Sequence, residues 1–200
     1  GTPNRNRADY FGGSIPWIKT GELGEKYVHS SEETLSDLGL ASSSAKVFPR
    51  GSVAIAMYGA TIGKLSIWGI DAATNQACAV AQPKLEAIST LFLYYFRQSE
   101  TRDLVASGKG GAQPNISQGL IREWPLPLPP LPEQHRIVAK IEELFSELDA
   151  GTASLTRARA QLKTYRQALL KAAFEGKLTA RWRGENMDKL ELAFQRIQSG

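Results

Sequence analysis

The 200-residue sequence contains a single cysteine, Cys78, so no disulfide can form within the chain. A lone thiol is typical of proteins that fold in a reducing compartment. No hydrophobic run approaches the roughly 20 apolar residues that a membrane-spanning helix needs. The excess of positive over negative charge is also small, because the chain has 24 Lys and Arg and 20 Asp and Glu, which gives a net charge of +4. These deficits exclude a disulfide-rich secreted domain and a membrane protein, and they do not by themselves demand an acidic partner.

The chain is also short. At roughly 150 residues per domain it has room for one substantial domain and an appendage. It begins Gly1-Thr2-Pro3, without a charged and then apolar leader, so we expect no signal peptide and a cytoplasmic location. Residues 1–132 carry 12 cationic and 11 anionic side chains, and residues 133–200 carry 12 and 9. The small surplus of positive charge therefore lies mostly in the C-terminal third.

The motifs of nucleotide-using enzymes are missing. The segment Gly59-Ala60-Thr61-Ile62-Gly63-Lys64 has three residues between its glycines where a phosphate-binding loop needs four, and Leu65 follows the lysine where Ser or Thr is required. We predict instead a glycine turn between two strands. Its amides, together with Thr61 and Lys64, are suited to a nucleic-acid phosphate.

Catalytic side chains are equally scarce. Cys78 lies in an apolar segment, which is typical of an inert buried thiol rather than a nucleophile served by His29 or His135. Ligands for a zinc tetrahedron are too few. Leucines flank Pro129-Pro130 where adenine methyltransferases carry Asn or Asp and an aromatic ring. We therefore predict no catalytic residue, no metal site and no methyltransferase chemistry.

Residues 1–131 have the pattern of a mixed α/β domain built on a twisted sheet, and with the long helix that follows, the predicted class of the chain is α+β. Strands are predicted over residues 52–58, 64–70 and 76–82, which are rich in Val, Ile or Ala, and a helix over 89–105 with Ser89 as its N-cap. The capping-box spacing of Ser30 and Glu33, with Gly39 near the end, predicts a short helix over residues 31–38. A last strand is predicted over residues 120–126.

The proline-rich run at residues 125–132 predicts a stiff extended strut, and Pro132 suits the first turn of a helix. Residues 133–175 then repeat apolar side chains every seven positions for about five heptads. This predicts a long helix, roughly 60 Å in length, within a spacer segment at residues 132–178. Residues 179–200 are interpreted as a linker and a short amphipathic helix. The residues predicted to contact a second helix are Ile141, Leu144, Leu148, Leu155, Leu162, Tyr165 and Leu169.

A glycine-rich loop near residue 110 carries side chains that can read nucleic acid. Gln and Asn pair with adenine edges, and Lys reaches guanine or phosphate. Aromatic and cationic residues also alternate around Trp17 and Tyr58, a combination that suits nucleic acid and equally the edge of a core. The polar residues of this loop are Lys109, Gln113, Asn115, Ser117 and Gln118.

Taken in order, these features resemble the specificity subunit of type I restriction–modification systems, namely one target-recognition domain and its connecting helix. The resemblance covers about residues 1–180. The segments that carry it are Gly1-Thr2-Pro3, Ile15-Pro16-Trp17-Ile18-Lys19-Thr20-Gly21-Glu22-Leu23, Tyr58-Gly59-Ala60-Thr61-Ile62-Gly63-Lys64, Asn75-Gln76-Ala77-Cys78, Gln113-Pro114-Asn115-Ile116-Ser117, Pro127-Leu128-Pro129-Pro130-Leu131-Pro132-Glu133-Gln134-His135-Arg136-Ile137-Val138 and Phe174-Glu175-Gly176-Lys177-Leu178.

The resemblance implies a non-catalytic reader of double-stranded DNA that holds no cofactor of its own. In that family two recognition domains, held apart by two antiparallel helices, each read one half of a bipartite target. Modification subunits, which use S-adenosylmethionine, dock on the helices, and restriction subunits driven by ATP and magnesium join them. Because this sequence has one domain and one helix and begins inside the domain, we expect a fragment or a half-length subunit that forms a homodimer.

The residues that we expect to contact DNA follow from the same comparison. We assign phosphate contacts to Lys19, Thr61 and Lys64, and a DNA-facing loop to Lys109, Gln113, Asn115 and Ser117. Thr20, Arg50, Tyr58 and Gln76 are further candidates. Two other interpretations stay open: a coiled-coil module whose head binds protein, and the recognition part of a fused restriction–methyltransferase enzyme.

Overall fold

The computed structural model describes residues 1–108 and 115–198, and it divides into two compact units, Gly1–Ile141 and Glu142–Gly200. The strands are β1 (Phe11–Ile18), β2 (Tyr27–Val28), β3 (Glu33–Leu35), β4 (Val47–Phe48), β5 (Val53–Ala56), β6 (Leu65–Trp68), β7 (Ala72–Thr74) and β8 (Cys78–Ala81). The helices are α1 (Asp37–Ala41), α2 (Thr90–Ala106), α3 (Gln118–Glu123), α4 (Leu131–Phe174), α5 (Ala180–Glu185) and α6 (Met187–Gln198).

The strands of the first unit form two four-stranded sheets, with the orders β3-β1-β7-β4 and β2-β6-β5-β8. In the first sheet β1 lies antiparallel to β3 and parallel to β7. In the second sheet β5 pairs antiparallel with both β6 and β8, so the predicted strands at residues 52–58, 64–70 and 76–82 are confirmed. The predicted class, α+β with a long helix after the sheets, is also confirmed.

The apolar strands and α2 supply the core of the first unit. Helix α2 packs Leu93 and Leu104 against Ile55 and Ile67 of the second sheet, and Leu104 is fully buried. In the core of the first sheet, Trp17 of β1 is the largest of the buried side chains in its cluster. The apolar residues from which α2 was predicted therefore form the face that covers the second sheet. Burial of this face stabilises the helix.

The predicted helix over residues 31–38 is wrong. This stretch instead contains β3, and the helix α1 begins later, after Ser36, whose Oγ accepts a hydrogen bond from the Gly39 N–H at 3.0 Å. The Oγ of Ser31 accepts from the Trp17 N–H at 3.1 Å, which ties the segment to β1. Pairing with β1 also buries Leu35 completely, and this tertiary gain outweighs a local capping signal worth about 1 kcal/mol.

The predicted strand over residues 120–126 is also wrong. Residues 118–123 form α3, and the Oγ of its N-cap, Ser117, accepts from the Leu120 N–H at 3.0 Å. Leu120 and Ile121 pack against the core of the second sheet. A short apolar run does not distinguish a strand from a buried helical turn by periodicity, which explains the error.

The long helix predicted from the heptads is present. Helix α4 has 44 residues, equivalent to about 66 Å at 1.5 Å per residue, and Pro132 lies in its first turn. Residues 179–200 were predicted to form a linker and a short helix. The part expected to be a linker contains the helix α5, and the expected short helix is α6. None of the helices within the described residues is both long enough and apolar enough to cross a membrane.

Candidate nucleic-acid interface

Three segments that are distant in the sequence meet at the main chain of Met57. The Met57 N–H donates to the Ala77 carbonyl at 2.8 Å, and the Met57 carbonyl accepts from the Ile116 N–H at 2.8 Å. Each of the three residues has an exposed neighbour in the chain, and these neighbours are Tyr58, Gln76 and Asn115. The fold thus places an aromatic ring and two amides from separate segments around one point.

The start of the chain joins the same point. The Oγ1 of Thr2 donates to the Oε1 of Gln76 at 2.6 Å, which leaves the Gln76 amide nitrogen to offer protons elsewhere. The main-chain nitrogen of Gly1 donates to the Thr74 carbonyl at 2.8 Å. The Oδ1 of Asn75 accepts from the Ala77 N–H at 3.1 Å and so shapes the turn that presents Gln76.

The parallel pairing of β1 with β7 places Lys19 and Thr20 near Gln76. Strands β1 and β7 end side by side at Ile18 and Thr74, and the Thr74 Oγ1 donates to the Ile18 carbonyl at 2.6 Å. The residues that follow these strands therefore leave the sheet at the same edge. They are Lys19 and Thr20 after β1, and Asn75 and Gln76 after β7.

The charge of Lys19 is already balanced. Its ammonium lies 3.1 Å from a carboxylate oxygen of Glu32 and 2.8 Å from one of Glu33, and the hydrogen bonds to these two carboxylates raise the pKa of Lys19. Arg5 also contacts Glu33, and together the Lys19 and Arg5 bonds lower the pKa of that carboxyl group. A phosphate at Lys19 would compete with two carboxylates, so the geometry favours other cations as phosphate contacts.

The glycine turn presents a cation without such competition. Gly63 has φ +80°, and a Cβ at this position would lie 2.7 Å from a methyl carbon of Thr101, so both conformation and space require glycine. The turn is closed by the Lys64 N–H, which donates to the Thr61 carbonyl at 2.9 Å. Lys64 is exposed, and within residues 1–108 and 115–198 no carboxylate forms an ion pair with it. We call the set Thr2, Thr20, Tyr58, Thr61, Lys64, Gln76 and Asn115 the Met57 edge.

The other predicted DNA contacts are not part of the Met57 edge. Arg50 precedes β5 whereas Tyr58 follows it, so the four residues of the strand, about 13 Å, separate them. The Arg50 N–H donates to Asp71 at 2.7 Å. Ser117 also lies next to Ile116, but its Oγ already accepts the Leu120 N–H that it caps in α3. Lys109 and Gln113 fall outside the described residues, so their roles stay predictions, as do those of the whole set.

A groove of about 840 Å³ runs along β8 and starts beside Asn75 and Gln76. Among the described residues, its charged side chains are all cationic: Lys46, Lys84, Arg97 and Arg122. The Nη1 of Arg97 is buried without a hydrogen-bond partner, and burial lowers the pKa of this guanidinium. Sequence reasoning missed these cations because each stands alone in its segment, and only the fold lines them along one groove.

The first 157 residues match the family model described as the type I restriction modification DNA specificity domain. The chain belongs to this family. The resemblance proposed from the motifs is thereby confirmed, and membership agrees with the prediction of a DNA-recognition component rather than a catalytic subunit.

Curated specificity subunits resemble this specificity domain over part of their length. The EcoR124I/EcoR124II specificity subunit of Escherichia coli is 30% identical over 162 residues, which cover 78% of this chain and 39% of that protein. The EcoBI specificity subunit of Escherichia coli is 34% identical over 143 residues, which cover 70% of this chain and 30% of that protein. The chain therefore spans about two fifths of the first relative's length.

Solved structures share the fold of the specificity domain. One is a chain from a study of complex assembly and conformational transition of the type I R-M system, with TM-score 0.65 and 21% identity over 87% of this chain and 42% of that one. Another is the HsdS subunit from Thermoanaerobacter tengcongensis, with TM-score 0.61 and 22% identity over 88% of this chain and 42% of that one.

The sole thiol of the specificity domain is not placed for chemistry. Cys78 is buried, and desolvation raises the pKa of its thiol to about 11, so the reactive thiolate is rare at neutral pH. The predicted burial of Cys78 in the core is confirmed, and its inertness stays a prediction. Within the described residues no cluster of three or more His, Cys, Asp or Glu side chains could hold a metal ion.

Proposed function

We propose that this specificity domain reads one half of a bipartite double-stranded DNA target through the Met57 edge. The observation that carries this proposal is the main-chain junction at Met57, which gathers Tyr58, Gln76 and Asn115 from three segments. The two amides suit the donor and acceptor pattern of adenine in the major groove. Lys64 and Thr61, in the glycine turn that links β5 to β6, suit the flanking phosphates.

The charge of the surroundings supports the same proposal. The groove that begins at Gln76 carries four cations and, among the described residues, no carboxylate. Such a local field attracts a polyanion even though the net charge of the chain is only +4. A modest overall charge is sufficient when two recognition domains share one DNA molecule, since their phosphate contacts add.

The second part of the proposal concerns α4, which pairs with a second long helix in antiparallel orientation. Ile141 is half-buried, but the heptad side chains from Leu144 to Leu169 are exposed, from 42% at Leu169 to 74% at Leu155. Apolar residues at this spacing are stable when another helix covers them. The first half of α4 contains Glu147 and Asp149, and the second contains Arg159 and Lys163. Antiparallel pairing of two copies sets opposite charges against each other.

A complete restriction system supplies the remaining partners in this proposal. Modification subunits with S-adenosylmethionine dock on the paired helices, and restriction subunits with ATP and magnesium join them in the cytoplasm. Support comes from the family alone, so we assign no residue of this chain to those contacts. The second recognition domain comes from another copy of this chain or from the other half of a longer subunit.

DNA reading is tested in two steps. Mapping methylated adenines in cells with and without the full system defines the target. The binding affinities of Gln76→Ala and Asn115→Ala are then measured for that target and for a duplex with a scrambled half-site. We expect each variant to lose about 1–3 kcal/mol of discrimination while its binding to scrambled DNA stays unchanged. Unchanged discrimination in both variants would refute the assignment of the Met57 edge.

Helix pairing is tested by a matched pair of substitutions in α4. Leu155→Arg places a charge in the exposed apolar stripe, and Ala160→Arg places the same charge on the opposite side of the heptad. Sedimentation velocity should show that the first variant dissociates and the second does not. If neither substitution changes the association state, the helix is not the pairing surface. If pairing is intact but no target DNA is bound, the coiled-coil interaction module is the better interpretation.

A further inference from the structure

The segment Gly1-Thr2-Pro3 contacts one of the residues proposed to read bases. The Oγ1 of Thr2 donates to the Oε1 of Gln76 at 2.6 Å, although 74 positions separate the two residues in the sequence. Both side chains are exposed. This hydrogen bond therefore lies at the surface of the Met57 edge and not in the core beneath it.

The length of this contact decides which end of the Gln76 amide faces Thr2. A hydroxyl group can donate to the oxygen of an amide or accept from its nitrogen. O–H···O hydrogen bonds are about 2.5–3.0 Å long, whereas N–H···O bonds are about 2.7–3.2 Å long, so a separation of 2.6 Å belongs to the first kind. The NH2 group is then directed away from Thr2. Within residues 1–108 and 115–198 it has no hydrogen-bond partner.

The residue before Thr2 is anchored to the core. The main-chain nitrogen of Gly1 donates to the Thr74 carbonyl at 2.8 Å, and the Gly1 carbonyl accepts from the indole N–H of Trp17 at 3.1 Å. Trp17 is 1% exposed, so this anchor is part of the folded interior. A Cβ at Gly1 would lie 2.6 Å from the main-chain nitrogen of Ala45, and the close approach therefore requires glycine.

The residue after Thr2 restricts it from the other side. Pro3 is buried, and a proline confines the residue before it to extended backbone conformations. The side chain of Thr2 is branched at Cβ, which leaves it few rotamers. The position of the Thr2 hydroxyl is therefore set by the fold before any ligand arrives.

The main chain on both sides of Gln76 is fixed as well. The Oδ1 of Asn75 accepts from the Ala77 N–H at 3.1 Å, which closes an Asx turn around Gln76. The Ala77 carbonyl accepts from the Met57 N–H at 2.8 Å. An exposed glutamine on such a turn would still change rotamers freely, and the hydrogen bond from Thr2 restrains the end of this side chain.

We propose that Thr2 is the positioning residue of Gln76 and that it presents the NH2 group to the N7 atom of a purine in the major groove; this step rests on the proposed function, in which Gln76 contacts a base. N7 is a hydrogen-bond acceptor in both adenine and guanine. A donor that is oriented before binding loses less conformational entropy than a freely rotating one. Thr2 thereby contributes to base recognition without touching the DNA.

The test compares two substitutions of Thr2 in the protein used for Gln76→Ala. Thr2→Val keeps the shape of the side chain and removes the hydroxyl, whereas Thr2→Ser keeps the hydroxyl. The control is Thr164→Val, the same change at an exposed position of α4 whose hydroxyl bonds to the Ala160 carbonyl of its own helix. Affinity for the mapped target and for the scrambled half-site is measured by fluorescence anisotropy.

We expect Thr2→Val to lose about fivefold in discrimination between the two duplexes, because one oriented hydrogen bond contributes about that much. Thr2→Ser and Thr164→Val should lose less than about twofold. Affinity for the scrambled half-site should be the same in all of these variants. A substitution that merely damaged the fold would weaken the binding of both duplexes.

A modified base tests the contact to N7. The purines of the target half-site are replaced one at a time by 7-deazapurines, which lack the N7 acceptor and keep Watson–Crick pairing. One replacement should weaken the binding of wild type about fivefold and that of Gln76→Ala less than about twofold, because the contact is already absent there. If no replacement shows this difference, the N7 contact is refuted.

The outcomes separate this proposal from the proposed function. If neither Gln76→Ala nor Asn115→Ala changes discrimination, base reading by the Met57 edge is itself refuted. If Gln76→Ala loses discrimination and a folded Thr2→Val keeps it, only the role of Thr2 is refuted. An equal loss in Thr2→Val and Thr2→Ser would also overturn that role, since the hydroxyl would then not be the cause. Folding is followed by circular dichroism on the same samples.

Discussion

The charge of Lys64 provides the sharpest test of the DNA-contacting face. Replacement by Ala removes one exposed cation, and the hydrogen bonds that close the turn stay in place because they are made by the main chain. Gly63, the residue with the demanding conformation, is also retained. The variant should therefore fold like wild type, and any loss of affinity reports the contact itself.

The expected magnitude follows from counterion release. One phosphate contact contributes about 0.9 to the slope of log K against log salt, which amounts to about fivefold in affinity at about 0.15 M salt. Lys64 should show this full value because no carboxylate pairs with it among the described residues. Target and scrambled duplexes should lose affinity equally, since a phosphate contact does not read bases.

Fluorescence anisotropy over a series of salt concentrations measures this slope. Lys189→Ala is the matched control, because it removes the same charge from an exposed position of α6 that is not among the predicted DNA contacts. We expect its slope to equal that of wild type. An unchanged slope in Lys64→Ala, or an equal decrease in Lys189→Ala, would show that the polyanion does not lie on the Met57 edge.

Four further predictions concern stability and reactivity. Ser36→Ala removes the cap of α1 and should lower the free energy of unfolding by about 1 kcal/mol in urea, whereas Ser30→Ala should cost less than about 0.5 kcal/mol; equal losses would contradict the observed helix start. Leu104→Ala empties a fully buried site and should cost about 2–5 kcal/mol in the same assay; a loss below 1 kcal/mol would mean that the core is wrongly placed. Cys78, with a pKa of about 11, should react with a thiol reagent at pH 8 about a hundredfold more slowly in the native protein than in urea, and rapid native labelling would refute its burial. The pKa of Glu33 is lowered in the fold, so its stabilisation is present at neutral pH and is lost as the pH falls below about 4.5; Glu33→Gln should flatten the acid branch of the stability curve, and an unchanged branch would argue against the Lys19 and Arg5 contacts.

Predictions from the sequence were accurate where the signal was local and repeated. The heptads of α4 and the Val- and Ile-rich strands β5 and β6 need only neighbours at fixed spacing, and both are present. The predictions failed where a tertiary contact outweighed the local signal, or where the local signal fitted two kinds of element. The capping-box spacing at Ser30 was overridden by pairing with β1, and the apolar run after residue 119 was a helix rather than a strand.

The candidate site was also predicted only in part from the sequence. Tyr58, Gln76 and Asn115 were recognised as types of residue that suit nucleic acid, but their meeting at Met57 depends on hydrogen bonds between segments 20 to 60 residues apart. The sequence also does not show which cations are paired with carboxylates. Lys19 and Lys64 appear equivalent there, whereas the fold gives the first two carboxylates and leaves the second unpaired among the described residues.

The sequence by itself determined that this chain has a mixed domain, a long heptad helix and the motifs of a specificity domain, because periodicity and turn chemistry act over a few residues. Only the tertiary structure decided which polar groups are available to a partner and which are spent within the fold. Gln134 is the clearest example: in the sequence it is one polar residue of a helix, and in the fold three hydrogen bonds bury it completely. Burial and long-range pairing arise from contacts between distant segments, and no local pattern encodes them.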